Sequence, residues 1–156
     1  MKHGSQSEEK WNVLVVGNNP IDLGHVFDRL HGIRGRTILT EMAFDLQTIL
    51  QRLTLFRPQH IIIDDNVGRS ALHDIVDKLH SGKSSHVPIT ILKNSNYQEA
   101  IGNGVMNFVL KQNLTSELLH QELLNSLRFF ETHQYWDKAY RKRKGQLVRL
   151  VKSVLP

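Results

Sequence analysis

The residues of this chain with the most chemical capacity stand directly behind its apolar runs. Asp64 and Asp65 follow His60-Ile61-Ile62-Ile63, Lys93 and Asn94 follow Val87 to Leu92, and Lys111 follows Met106 to Leu110. Gly17, Asn18 and Asn19 follow Trp11 to Val16. Adjacent carboxylates offer oxygen to a hard cation or to an ammonium group, lysines bring fixed positive charge, and the asparagines offer only neutral amide oxygens. Other chemistries are excluded by what is missing. There is no cysteine, hence no disulfide, zinc thiolate site or cysteine nucleophile. The G-x-S-x-G, Walker A and G-x-G-x-x-G patterns are absent. Among nine histidines, His73 and His80 share a helix face but stand two turns apart, and no spacing suits zinc, so the histidines are expected to be solvated.

The elements that must position these residues follow from periodicity. Trp11 to Val16 is a buried-strand pattern stopped by Gly17-Asn18-Asn19-Pro20. Leu23, Val26, Phe27 and Leu30 mark one face of a helix. Thr37 to Thr40 reads as a weaker strand, Leu46, Ile49, Leu50 and Leu53 as a helix broken by Pro58, and His60 to Ile63 as the third strand. Leu72, Ile75, Val76 and Leu79 form a third helical stripe, and Val87 to Leu92 a fourth strand. A short helix is expected around Tyr97–Asn103, a fifth strand over Met106–Leu110, and a last helix carrying Leu119, Leu123, Leu124 and Leu127, capped by Asn113 or Thr115. Strands apolar on both faces belong in a parallel sheet covered on each side. Right-handed crossovers then give a doubly wound α/β sandwich. In such a sheet, ligands meet the carboxyl ends of the strands near the switch point, where the residues named above stand. Gly17-Asn18-Asn19-Pro20 is a poor phosphate loop for a flavin cofactor, and Gly102 and Gly104 read as turn residues.

The bulk numbers suit one domain: 156 residues, 40% of them hydrophobic. The polar start, Met1 to Lys10, has no signal-peptide character, no apolar run is long enough to span a membrane, and a cytoplasmic location is expected. The net charge of +5 is unevenly placed. Seven basic residues and no acidic one lie from Lys138 onward, leaving 13 basic against 15 acidic residues in 1–137, a net of −2. The basic balance belongs to the tail, which could meet nucleic acid, anionic lipid or an acidic partner.

The stretch from about Trp11 to Phe130 resembles the receiver domain of bacterial response regulators, of the chemotaxis-regulator type. Pro58-Gln59-His60-Ile61-Ile62-Ile63-Asp64 matches that family's third strand, with Asp64 at the phosphoacceptor position. Gly104-Val105-Met106-Asn107-Phe108-Val109-Leu110-Lys111 matches its fifth, with Phe108 at the switch aromatic and Lys111 at the lysine that contacts the phosphoryl group. The resemblance implies a flavodoxin-like five-stranded parallel sheet, a (βα)5 three-layer sandwich, here with a C-terminal helical extension.

Three departures from the family pattern shape the functional expectation. Gly17 and Asn18 stand where the family has an acidic pair that holds Mg²⁺ with the phosphoacceptor. Two negative charges near the ion are thereby lost, so no cofactor is expected beyond weak Mg²⁺ at Asp64 and Asn18. Lys93 replaces the hydroxyl residue that reports phosphorylation, and an ion pair between Lys93 and Asp64 is one expectation. Gln112 replaces the proline that usually follows the lysine, so the family's cis peptide is expected to be lost. Asn19, Asp65 and Asn94 are expected to support the site.

The leading expectation is a degenerate receiver, a protein–protein signalling module in a two-component phosphorelay rather than an enzyme. Its partners would be a histidine kinase or an output protein, met in this family by the last helix–strand–helix region, about Tyr97 to Leu127. A working receiver phosphorylated on Asp64, and a nucleic-acid-binding regulator using the basic tail, are the alternatives. The expected division is a disordered segment at 1–10, a receiver-like domain at 11–132 and a basic helical extension at 133–156. For that extension, a homodimer seam, an amphipathic membrane-surface helix and a nucleic-acid contact are the three readings.

Overall fold

A computed structural model of the chain describes residues 9–82, 86–94 and 105–154. Five strands form one parallel sheet: β1 (Lys10–Val16), β2 (Thr37–Ala43), β3 (His60–Asp64), β4 (Ile89–Lys93) and β5 (Val105–Leu110), in the order β2-β1-β3-β4-β5. Among the described residues the helices are α1 (Pro20–His31), α2 (Leu46–Leu55), α3 (Arg69–Ser81) and α4 (Ser116–Val154). The helix expected around Tyr97–Asn103, with Gly102 and Gly104, lies outside the described residues.

The strand sequences build two cores because successive side chains leave a strand on opposite faces. Val13, Val15, Ile62, Leu92 and Val109 meet Leu23, Val26 and Leu30 of α1 and Leu119 and Leu123 of α4. Leu14, Val16, Ile61, Ile63, Ile89 and Ile91 meet Ile49 of α2 and Leu72, Ile75, Val76 and Leu79 of α3. Strand β2 runs three residues past the expected Thr40 because Glu41, Met42 and Ala43 pair with Leu14, Val15 and Val16 of β1. The expected disordered segment at 1–10 ends too late. Lys10 is already paired with Thr37 in the sheet, and Glu9 meets Arg36 at 2.9 Å.

The helix ends carry their own chemistry. Asn19 accepts from the Ile21 N–H, with Pro20 at the first helical position, so it serves as the cap of α1. Thr115 rather than Asn113 caps α4, its hydroxyl accepting from the Leu118 N–H at 3.1 Å. Helix α2 closes on Arg57, which adopts φ 52 and donates its N–H to Arg52 O. One polar pair lies deep between sheet and helix. His60 at the start of β3 is 3% exposed, and its Nε2 lies 2.9 Å from Thr90 Oγ1 on β4. Its Nδ1 is buried without a hydrogen-bond partner.

Strand order reverses between β1 and β3. Their carboxyl ends, Gly17-Asn18 and Asp64-Asp65-Asn66, therefore form the switch point of the sheet.

Candidate functional site

Asp64 ends β3 with only 2% of its surface exposed. It shares strand parity with Ile62, so its carboxylate leaves the sheet on the face covered by α1 and α4. A buried carboxylate requires a cation or several donors. Both are present. Lys111, in the single 3-10 turn that follows β5, places its Nζ 2.5 Å from Asp64 Oδ1 and 3.6 Å from Asp65 Oδ1. The Asn66 N–H donates to the same Asp64 Oδ1 at 2.8 Å.

Asn66 stitches the surrounding loops together. Its carbonyl accepts from Asn18 Nδ2 at 2.6 Å, its Nδ2 donates to Asp22 Oδ2 at 3.2 Å, and its Oδ1 accepts from Asn94 Nδ2 at 2.6 Å. With the bond to Asp64, one asparagine joins the ends of β1, β3 and β4 to helix α1. Asn94 reinforces this by donating its backbone N–H to Asp65 Oδ2 and its amide to Asp65 Oδ1, at 3.1 and 3.0 Å.

The end of β1 contributes no charge. A Cβ built on Gly17 would stand 2.7 Å from Leu23 Cδ2 and 3.2 Å from Leu23 Cγ, so the leucine of α1 fills the space a side chain would need. Asn18, expected as a weak metal ligand, turns its NH₂ toward the Asn66 carbonyl. A magnesium ion wants several oxygens free of other partners. Here Asp64 Oδ1 is shared by an ammonium and an N–H, both Asp65 oxygens accept from Asn94, and Gly17 offers no side-chain oxygen. Among the described residues no three acidic or histidine side chains cluster around a common point for a metal. This donor set does not fit magnesium.

Lys93 and Phe108 form a separate pair. The Lys93 Nζ lies 4.1 Å from the centroid of the Phe108 ring, within cation–π range. The ammonium group on Asp64 is thus that of Lys111, in place of the expected Lys93. Ladder parity is the reason. Asp64 pairs with Leu92, and Lys93, one residue on, leaves β4 on the opposite face, with Ile91 and Phe108. Lys93 is 8% exposed and Phe108 is 40% exposed.

Beside Asp64 opens a cleft of about 360 Å³, lined by Asp64, Asn94 and Lys111, by Asn66, which sequence reasoning missed, and by three residues of α1 that it also missed: Asp22, His25 and Arg29. They follow the apolar stripe of α1 along its polar flank, at a spacing of three and four residues. That stripe, once placed under the switch point, was the available signal. Arg29 also fastens the site's floor, donating from Nε to Leu114 O at 2.9 Å while Ser116 Oγ donates to Arg29 O at 2.7 Å. Asp65, Asn94, Lys111 and Asn18 are all brought together as expected, whereas Asn19 turns to its own helix.

No protein-family model and no curated protein matches the sequence. Solved structures do. The chemotaxis response regulator CheY4 of Vibrio cholerae is 21% identical over 76% of this chain and 100% of its own, with a TM-score of 0.60. The receiver domain of a sensor histidine kinase from Pseudomonas aeruginosa, whose structure holds magnesium in its active site cleft, is 15% identical over 76% and 98%, with a TM-score of 0.63. The signal receiver domain of an HD domain-containing protein from Pseudomonas fluorescens is 14% identical over 86% and 98%, with a TM-score of 0.67. The five-stranded parallel sheet agrees with this likeness, and the chain has the fold of CheY-like response-regulator receiver domains.

Proposed function

We propose that the chain is a degenerate receiver, a signalling module that meets protein partners without magnesium-dependent phosphorylation of Asp64. One observation carries this reading. The charge a metal would bring to Asp64 is supplied by the Lys111 ammonium, while Leu23 fills the side-chain space at Gly17. Phosphoryl transfer relies on cations to neutralise the charge that develops on the transferred group. Asp64 here is already neutralised by a group that cannot leave the site with product or be exchanged for another ion. The surrounding amide bonds hold the loops in one arrangement with no ligand required. Kinases and output proteins are the partner classes that the receiver fold suggests, and a constitutive docking surface is the role that this geometry supports. A kinase-phosphorylated state would require that arrangement to open.

An NMR titration of the labelled protein tests the proposal, first with Mg²⁺ and then with a beryllofluoride mimic of the phosphoryl group. No saturable shifts are expected at Asp64, Lys111 or Phe108. Saturable shifts that start at Asp64 and spread to Phe108 would mean a live phosphoryl switch and would overturn the reading.

A further inference from the structure

Helix α4 is far longer than the sheet requires. Its 39 residues, Ser116–Val154, span about 58 Å at 1.5 Å per residue. Among the described residues of α4, the buried ones, Leu119, Leu123 and Ser126, lie in its first third. From Tyr140 to Leu147 every residue is exposed, including two large side chains, Tyr140 at 67% and Leu147 at 63%. The helix crosses position 132, where the sequence suggested a domain boundary, and passes Gly145, a poor helix former, without a break.

At about 100° per residue the exposed part is two-sided. Tyr140, Leu147, Leu150, Val151 and Val154 occupy positions on one side of the helix, and Lys138, Arg141, Lys142, Arg149 and Lys152 on the other. Arg143 falls within the apolar side, between Leu150 and Val154, while Lys144 stands at its border and Val148 lies toward the basic side. No carboxylate follows Asp137.

Three surfaces could cover such a helix. Nucleic acid would use the cations and leave the apolar side in water. A second copy paired in parallel would use the apolar side but would bring Arg143 and Lys144 of both helices together, with no acidic residue beyond Asp137 to offset them. An anionic bilayer surface uses both sides at once. The apolar positions enter the headgroup–acyl boundary, and lysine and arginine stems reach back to the headgroups. We propose that α4 beyond Ala139 is a surface anchor for anionic lipid, lying in the plane of the interface. This is a peripheral contact, since no described helix is long and apolar enough to cross a membrane.

The full chain should sediment with mixed phosphatidylglycerol–phosphatidylcholine vesicles and not with pure phosphatidylcholine, and should be released between about 0.1 M and about 1 M salt. Each basic residue near an anionic surface contributes roughly fivefold in affinity, so Arg141→Gln, Lys142→Gln, Arg143→Gln and Lys144→Gln combined should weaken binding at least about a hundredfold. Leu147→Glu should weaken it by about tenfold or more. These positions lie beyond the packed part of α4, so thermal melting of the sheet domain should not change. Sedimentation with neutral vesicles, or none with anionic ones, would overturn the proposal. So would a solution dimer that Leu147→Glu dissociates while lipid has no effect, which assigns the helix to a second copy. Salt-sensitive binding of mixed-sequence duplex DNA that Leu147→Glu leaves intact, without vesicle binding, would assign it to nucleic acid.

Discussion

Acid should unfold this protein early, and His60 should be the cause. Burial pushes its pKa down from 6.5 to about 3, because the apolar interior between β1, β3 and α4 disfavours the imidazolium. The ring therefore stays neutral in the fold, while in the unfolded chain it takes a proton near its ordinary value. Above pH 6.5 both states are neutral and His60 has no effect on the pH dependence. As the pH falls through 6.5 the unfolded state alone binds the proton, and stability is lost continuously until the folded ring also titrates near pH 3. The loss is about 1.4 kcal/mol per pH unit, hence about 2.7 kcal/mol at pH 4.5. That is a large part of the roughly 5–15 kcal/mol that holds a domain together. Urea denaturation of the parent chain and of His60→Gln, each at neutral pH and at pH 4.5, isolates the effect. Glutamine can still bond Thr90 Oγ1 but does not titrate. The variant should start less stable at neutral pH and lose about 2.7 kcal/mol less than the parent on acidification. Contributions from groups common to both proteins cancel in the difference. Equal acid losses in the two proteins would refute the argument and would mean that water or a backbone carbonyl reaches the ring.

Lys111→Met should cost about 3 kcal/mol in urea denaturation, the low end for a broken buried pair because the lysine is partly solvated, and adding Asp64→Asn should recover most of that loss. Arg57→Gly should stabilise the chain by about 1 kcal/mol, because a side chain at φ 52 is strained and glycine is not, and calorimetry should show a melting point roughly 3 °C higher.

Much of the fold could be read from residue order. Runs such as Val13-Leu14-Val15-Val16 and Ile61-Ile62-Ile63 declare strands buried on both faces, and Asp64 at the end of β3 and Lys111 behind β5 point to the site. Two kinds of information were missing. The first is ladder register: that Asp64 opposes Leu92 separates Lys93 from Asp64, and that His60 lies beside Thr90 turns a histidine expected in solvent into a buried one. The second is how helix α1 lies on the sheet. Only its docked position shows Leu23 filling the space at Gly17 and Asp22, His25 and Arg29 lining the cleft. The extra length of β2 likewise comes from its neighbour, since Glu41-Met42-Ala43 has little strand character alone.

The fourfold bonding of Asn66 has a consequence for how information could pass through this molecule. A two-state switch needs loops that gain more from one ligand state than from another. Here both backbone groups and both ends of the amide of Asn66 already have partners, so an incoming ligand would exchange bonds rather than add them. A surface held in one population answers to concentration alone: how much of it is occupied depends on how much of the chain and its partner the cell makes. The module proposed above would report abundance rather than a stimulus.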